Sequence, residues 1–329
     1  METLKALGER KAIELILERL EKMPRMPIPF GDDVSAYRLG NGRLAILKTD
    51  MLVGKTDIPK SMSLWHAARK AVVMNISDFA AKGVKPIAIL VALGMPSSMT
   101  QKELEEVADG LNAGAREYGT YIVGGDTSDA SDIVISLSVF GIANEGEIML
   151  RSGAKPGDIG ATTGFFGKTS AGLKILLEGL AVPKKVYDVL VDSVLMPKAR
   201  LNEGLVLRKT GAVTAAIDSS DGLAWSLHEI ARASSVGFLI SNVPVADEAD
   251  EFARISKLNP LDLALYGGEE YELVLTVKPT LWEKAKSAIE SVGGKLLPIG
   301  KVTAERRVLL KMRGERRVIK PRGWEHFKQ

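Results

Sequence analysis

"AAIDSSDGL", residues 215–223, is the stretch from which the fold can be read. An apolar run ends in two acids three residues apart, Asp218 and Asp221, and a helical pattern starts at once with Leu223. Carboxylates at the end of a buried strand are costly unless something binds them. Working outward, the same arrangement recurs along the chain. Apolar strands end in acids, most with glycines beside them: Gly31-Asp32-Asp33, Thr49-Asp50, Gly124-Gly125-Asp126 and Gly267-Gly268-Glu269-Glu270. Asp78 joins them from inside a segment of small and apolar residues.

The bulk properties narrow the setting. The 329 residues are too many for one simple core and suit two halves. With 46% apolar and 26% charged residues, the composition is that of an ordinary soluble globular protein. The formal net charge is only +3. A local basic run, from Arg306 through Arg316 and Arg317 to Arg322, reads as a solvated strand face rather than a nucleic-acid patch. There is no cysteine, which excludes disulfides, thiolate metal sites and a cysteine nucleophile. The first twenty residues form an amphipathic pattern with interspersed acids, not a signal peptide. No apolar run reaches bilayer length, so the expected place is the cytoplasm, without membrane or nucleic-acid partners.

Periodicity then sets out the elements. Leu4, Leu7, Ile13, Ile16, Leu17 and Leu20 predict a first helix up to about Lys22. Pro24, Pro27 and Pro29 enforce an extended lead into Gly31–Asp33. Strands are predicted over Arg43–Asp50, over the buried run Lys85–Gly94, over Thr120–Asp129 and over the alternating run Asp132–Ala143. Between them fall a helix over Leu64–Lys82 and one starting at Thr100, where Glu103 completes a capping box. A turn-rich seam at Glu145–Asp158 divides the chain, and domains of 1–145 and 146–329 follow. The second half repeats the mixture. Helices are expected over Lys168–Leu180, Lys184–Leu195, Arg200–Lys209 and Leu281–Val292. Gly267–Val277 reads as a glycine turn into an alternating strand, and two or three short strands finish the chain. Regular βαβ alternation is absent, so the fold class is α+β in two halves.

The acids suggest chemistry. Taken singly, each Asp after a strand could be a turn residue or a helix cap, and Asp221 or Ser220 could cap the helix at Leu223. Asp78 resists that reading, because its helix is apolar almost all round and offers only Lys82 as a local cation. One hard cation would satisfy all the acids together. Oxygen ligands without cysteine, and with only three histidines, suit Mg²⁺, which commonly shares its sphere with phosphate oxygens. The glycines let backbone amides approach such phosphates. "GFFGKT" (Gly164–Thr169) ends like a P-loop but has Thr162 where the first glycine belongs, so it reads as a tight turn before a helix or as a lesser phosphate contact.

With these residues in view, the chain resembles a known family. GDD (31–33), TDMLV (49–53), NISDFAAKGVKP (75–86), GGDT (124–127), RSGAKPGD (151–158), IDSSDGL (217–223), GGEEYEL (267–273) and GWEHF (323–327) occur in the order found in the thiamine-monophosphate kinases. That family sits in an aminoimidazole ribonucleotide synthetase-like superfamily of two-domain ATP-binding α+β proteins. Two other branches, selenophosphate synthetase and the hydrogenase-maturation dehydratase, depend on cysteine or selenocysteine, which this chain lacks. The resemblance implies phosphorylation of thiamine monophosphate by ATP to give thiamine diphosphate, the last step of its biosynthesis. It also implies several Mg²⁺ ions, and a homodimer whose N-terminal sheets pair. Asp33, Thr49, Asp50, Asp78, Asp126, Asp218 and Asp221 would ligate metal, and Lys48 stands at a position that can also be a ligand. Gly125, Asp126, Arg151 and Ser220 would contact ATP, with Asp218, Asp126 and Arg151 central to catalysis. Glu269 and Trp324 would contact thiamine monophosphate, and Asp57 stands near where some members place a substrate-touching histidine. A phosphate acceptor is already anionic near neutral pH and needs no general base, which suits direct in-line transfer.

Overall fold

The computed structural model describes residues 3–327. Its first half runs α1 (Leu4–Leu7), α2 (Glu9–Leu17), β1 (Ser35–Gly40), β2 (Arg43–Val53), α3 (Gly54–Asp57), α4 (Leu64–Lys82), β3 (Pro86–Met95), α5 (Gln101–Glu117), β4 (Ile122–Asp129) and β5 (Val134–Asn144). The five strands form one sheet in the order β1-β2-β5-β3-β4. The single N-terminal helix expected from periodicity is in fact two. Gly8 adopts φ 76 between α1 and α2, and the second helix stops at Leu17. The capping box at Thr100 is formed as the sequence predicts.

The second half runs β6 (Ile159–Thr162), α6 (Lys168–Glu178), α7 (Lys184–Leu195), α8 (Leu201–Thr210), β7 (Val213–Asp218), α9 (Leu223–Ser234) and β8 (Gly237–Ile240). It continues through α10 (Asp247–Ser256), α11 (Pro260–Tyr266), β9 (Leu273–Val277), α12 (Trp282–Glu290), β10 (Leu297–Thr303), β11 (Val308–Met312) and β12 (Glu315–Val318). A seven-stranded sheet of order β12-β11-β8-β10-β6-β9-β7 results. Strand β9 departs from its sequence reading. All five residues are buried, because β6 and β7 flank it and helices cover the sheet, so no alternation survives. The basic run falls on β11, β12 and their flanks, and all of β12 is exposed, as a solvated face should be.

The two sheets share one core. Ala161, Ala216, Leu273 and Leu275 from the second sheet pack in the same cluster as Ile46, Val72, Ile76 and Val139 from the first half. Helix α4 is the shared element, buried over most of its length between β2 and β5 on one side and β7 and α8 on the other. Small residues allow these approaches. A Cβ on Gly110 of α5 would lie 2.2 Å from the Trp65 carbonyl oxygen, and one on Gly204 of α8 would lie 1.9 Å from that of Ala80.

The inner face of the first sheet lies on α4. Its outer face stays open, which corrects the reading of Lys85–Gly94 as a wholly buried strand. Leu47, Met51, Leu90 and Val123 are exposed there, with Leu90 at 52% and Val123 at 63%. Ladder register assigns further residues to each face, because directly opposed residues share one. Lys48 and Asp50 oppose the buried Val139 and Leu137, and so face inward. Thr49 opposes Ser138, which opposes Leu90, so all three face outward. Asp126 opposes Ala92 and lies in the same outward row as Ser136 and Met51.

Candidate active site

The end of β7 delivers Asp218 into the seam between the halves. Asp33, Asp78 and Asp218 converge there, all buried, with ligand oxygens within 4.8 Å of one another. A loop after prolines, an acid inside an apolar helix and an acid after a strand thus meet at one point. Ser77 donates a 2.7 Å hydrogen bond to Asp218. Asp221 and Ser220 do not cap α9. Gly222 occupies the N-cap position and no side chain caps the helix, which leaves the Asp221 carboxylate free to face the cleft.

Asp33 and Asp78 each have a cation in contact, and not the one that local spacing suggests. Lys82 does not pair with Asp78 at i+4. Its fully buried ammonium lies 2.7 Å from Asp32 and 2.8 Å from Asp33, and donates to the Ala216 carbonyl. Asp78 is met instead by Lys48 at 2.8 Å, with Asp50 3.9 Å from the same ammonium. Burial opposes charge on Lys48, yet Asp78 and Asp50 hold its pKa above the ordinary lysine value. A protonated ammonium has no lone pair to give. Without a metal ion, Lys48 stands as the counter-cation of Asp78 and Asp50.

Arg151 donates from Nε to Asp33 at 2.6 Å, pairs with it again through its second terminal nitrogen, and donates to the Gly31 carbonyl. Burial works against the Asp33 charge, but Arg151 and Lys82 keep its pKa below the usual carboxylate value. The other two members of the trio go the opposite way. Burial raises Asp78 well above its ordinary value, with Asp218 and Asp33 adding to the effect. Burial also raises Asp218 to about 6, and Asp33 adds to that. Three buried carboxylates with converging oxygens, two of which resist ionisation, form a donor set suited to a hard divalent cation. The residues fit Mg²⁺.

A cleft of about 340 Å³ opens above the trio. Lys48, Asp50, Asp57, Arg151, Asp218, Ser220, Asp221, Glu269 and Trp324 all line it, so the structure brings most of the sequence candidates together. It continues into a smaller pocket of about 130 Å³ that shares Asp57, Glu269 and Trp324 with it. Glu269 sits at φ 63, held there by a 2.6 Å bond from its N–H to the Ser220 carbonyl. The Trp324 N–H bonds to the Asp221 carbonyl. The Asp57 carboxylate accepts from the Val53 N–H at 2.7 Å, closing the α3 turn.

Three candidates lie elsewhere. Thr49 turns its hydroxyl outward, where it donates to the Leu137 carbonyl, because side chains alternate along β2. It instead borders an outer-face hollow of about 460 Å³ with Asp32, Asp33, Lys48 and Ser138. Asp126 is on the same outer face, on an edge strand three places from β2. Gly125 has a packing reason to be glycine, since a Cβ would lie 1.9 Å from the Val91 carbonyl oxygen. The Gly164–Thr169 loop is not a phosphate cradle. Glu270 fills it, accepting from the Gly167 N–H at 2.6 Å and the Thr169 N–H at 3.2 Å.

Sequence reasoning missed the cleft's second wall. Helix α2 contributes Glu9, Arg10 and Ile13 to the lining. The Arg10 guanidinium lies 3.5 Å over the Trp225 ring, 2.7 Å from Glu229 and 3.5 Å from Asp221. Tyr271 and Lys70 were missed as well. For Lys70 and Lys82 there was a signal: cations on a helix with no polar face.

These two halves, joined over an acid-floored cleft, define an AIR synthase related protein. Residues 31–143 match the family "AIR synthase related protein, N-terminal domain" and residues 159–312 the "AIR synthase related protein, C-terminal domain". Thiamine-monophosphate kinase of Pyrococcus horikoshii is 37% identical over 98% of this chain and 97% of its own, and that of Nitrosopumilus maritimus is 37% identical over 90% and 93%. Among solved structures, AaThiL complexed with AMPPCP and TMP superposes with a TM-score of 0.86 at 27% identity, covering 99% of both chains. The chain belongs to the thiamine-monophosphate kinase family.

Proposed function

We propose that the protein transfers the γ-phosphoryl group of ATP to thiamine monophosphate, giving ADP and thiamine diphosphate. The observation that carries this reading is the buried trio Asp33, Asp78 and Asp218 beneath a cleft whose far end holds Glu269 and Trp324. Asp33, Asp50, Asp78, Asp218 and Asp221 would hold Mg²⁺ ions. Bound there, the ions would neutralise phosphate charge and align the in-line displacement.

The chain's own groups have separable tasks. Arg151, fixed by Asp33, presents its remaining N–H groups to phosphate oxygens at the cleft wall. Lys48 and Lys82 balance carboxylate charge without occupying ligand positions. Ser220 lies in reach of the nucleotide. Trp324 and Glu269 suit a cationic thiazolium, by an indole face and a carboxylate. No side chain is needed as a general base, because the acceptor oxygen is already ionised.

The open outer face of the first sheet supports a homodimer formed between those faces, as the exposed Leu47, Met51, Leu90 and Val123 form an apolar surface. In such a pair Gly125 and Asp126 serve the site of the other copy, by way of the hollow that Thr49 and Asp33 border. Residues 1–145 then provide metal binding and self-pairing, and 146–329 complete the nucleotide and acceptor site. Among the described residues no helix is long and apolar enough to cross a membrane. The cytoplasm is the proposed compartment.

The test is direct. The protein is incubated with ATP, Mg²⁺ and thiamine monophosphate, and thiamine diphosphate is followed by chromatography. Free thiamine and EDTA samples are controls. Metal-dependent product from the monophosphate alone is expected. Absence of product while ATP still binds would overturn the reading.

A further inference from the structure

Lys70 is a buried cation for which transfer chemistry has no use. It lies on α4 with its side chain 1% exposed. Its ammonium pairs with the Glu269 carboxylate and donates to the Asp57 carbonyl at 3.2 Å. Those two partners come from distant segments, and each stands in a short turn rather than a long element. Asp57 ends the four-residue α3 turn, and Glu269 has left-handed backbone in a loop. With Trp324 they wall the 130 Å³ pocket, whose other side is apolar through Leu173 and Leu177.

Burying an ammonium is unfavourable unless its partners compensate. A fold that only needed to fill this space would use leucine or methionine. The lysine instead ties two walls, each otherwise held by bonds within its own neighbourhood, to the buried helix α4. We propose that Lys70 is a positioning residue for the acceptor substrate, fixing Glu269 and the α3 turn against Trp324 so that the pocket accepts the ring portion of thiamine monophosphate. This rests on the reading of the cleft given above. Lys70 does not touch the trio Asp33, Asp78 and Asp218, so the nucleotide end of the cleft is independent of it.

The experiment compares the wild type, Lys70→Met, Glu269→Gln and the double variant. KM is measured for each substrate, and the Kd for thiamine monophosphate is measured calorimetrically without ATP. Lys70→Met is expected to raise KM and Kd for thiamine monophosphate at least about tenfold, with KM for ATP within about twofold. In the Glu269→Gln background the same change is expected to add less than about threefold, because Lys70 acts through Glu269. Lys70→Gln, which keeps hydrogen-bonding capacity, is expected to fall between and serves in place of Lys70→Met if that variant fails to fold. Equal rises in both KM values, or full additivity in the double variant, would overturn the proposal and leave Lys70 a structural ion pair. A wild type that makes no thiamine diphosphate would instead count against the function itself, and the calorimetric arm would still decide the role of Lys70.

Discussion

Asp218 is a residue whose charge the metal-free fold resists. Its pKa rises from 3.8 to about 6 on folding, through burial first and Asp33 next. Folding therefore favours its protonated form. The cost of ionising it is absent below about pH 4 and complete above about pH 6, and corresponds to about 3 kcal/mol. In EDTA, the wild type is expected to lose stability relative to Asp218→Asn as pH rises through that window, read as Tm between pH 4 and 8. Parallel curves would show that the carboxylate is already satisfied. With Mg²⁺ restored, the same variant is expected to lose at least about 100-fold in turnover. At this scale the sequence was informative where an acid sat in the wrong company. Asp78 stood out on an apolar helix and Asp218 at the end of an apolar strand, and both reached the trio. The identities of their cations were not legible. Lys48 to Asp78 and Lys82 to Asp33 are contacts across thirty to fifty residues, and local spacing favoured Lys82 for Asp78 instead.

Among the elements, α4 governs the rest. Lys70, Ser77, Asp78 and Lys82 all project from it into the cleft floor or the smaller pocket beside it. Its position depends on the close approach of α8, which Gly204 permits against the Ala80 carbonyl. Gly204→Ala is expected to push α8 off α4, destabilise by about 1–3 kcal/mol and reduce kcat together with Tm. A variant with unchanged Tm would show that the helices can separate without strain. Helix and strand positions were largely legible, because a capping box, glycine stops and period-two alternation are local signals. The errors came from tertiary context. The N-terminal helix broke at a glycine, and β9 lost its alternation through cover on both faces.

At the scale of the whole molecule, the outer face of the first sheet is the open question. Asp126 faces outward with the exposed apolar surface, away from the trio of its own chain. If it serves a second copy, Asp126→Asn and Asp218→Asn proteins, each inactive alone, should complement on mixing. Subunit exchange at equal amounts is expected to restore about a quarter of wild-type turnover, since half of the dimers then carry one intact site. No recovery, with exchange verified by sedimentation of a tagged subunit, would place Asp126 in its own chain's site. The two-sheet α+β architecture could be read from the order of elements. That the sheets share one core through α4 could not, because the seam at 145–158 looks in sequence like a simple linker.

Helix α2 meets the C-terminal segment at the cleft, where the His326 N–H bonds to Glu9 at 3.1 Å and Trp324 stands beside the same opening. Two segments 317 residues apart in sequence thus close one opening. The buried acids are held by contacts that involve neither segment, whereas the wall of the cleft needs both. Loosening this clasp would open the cleft at its rim and leave its acid floor in place.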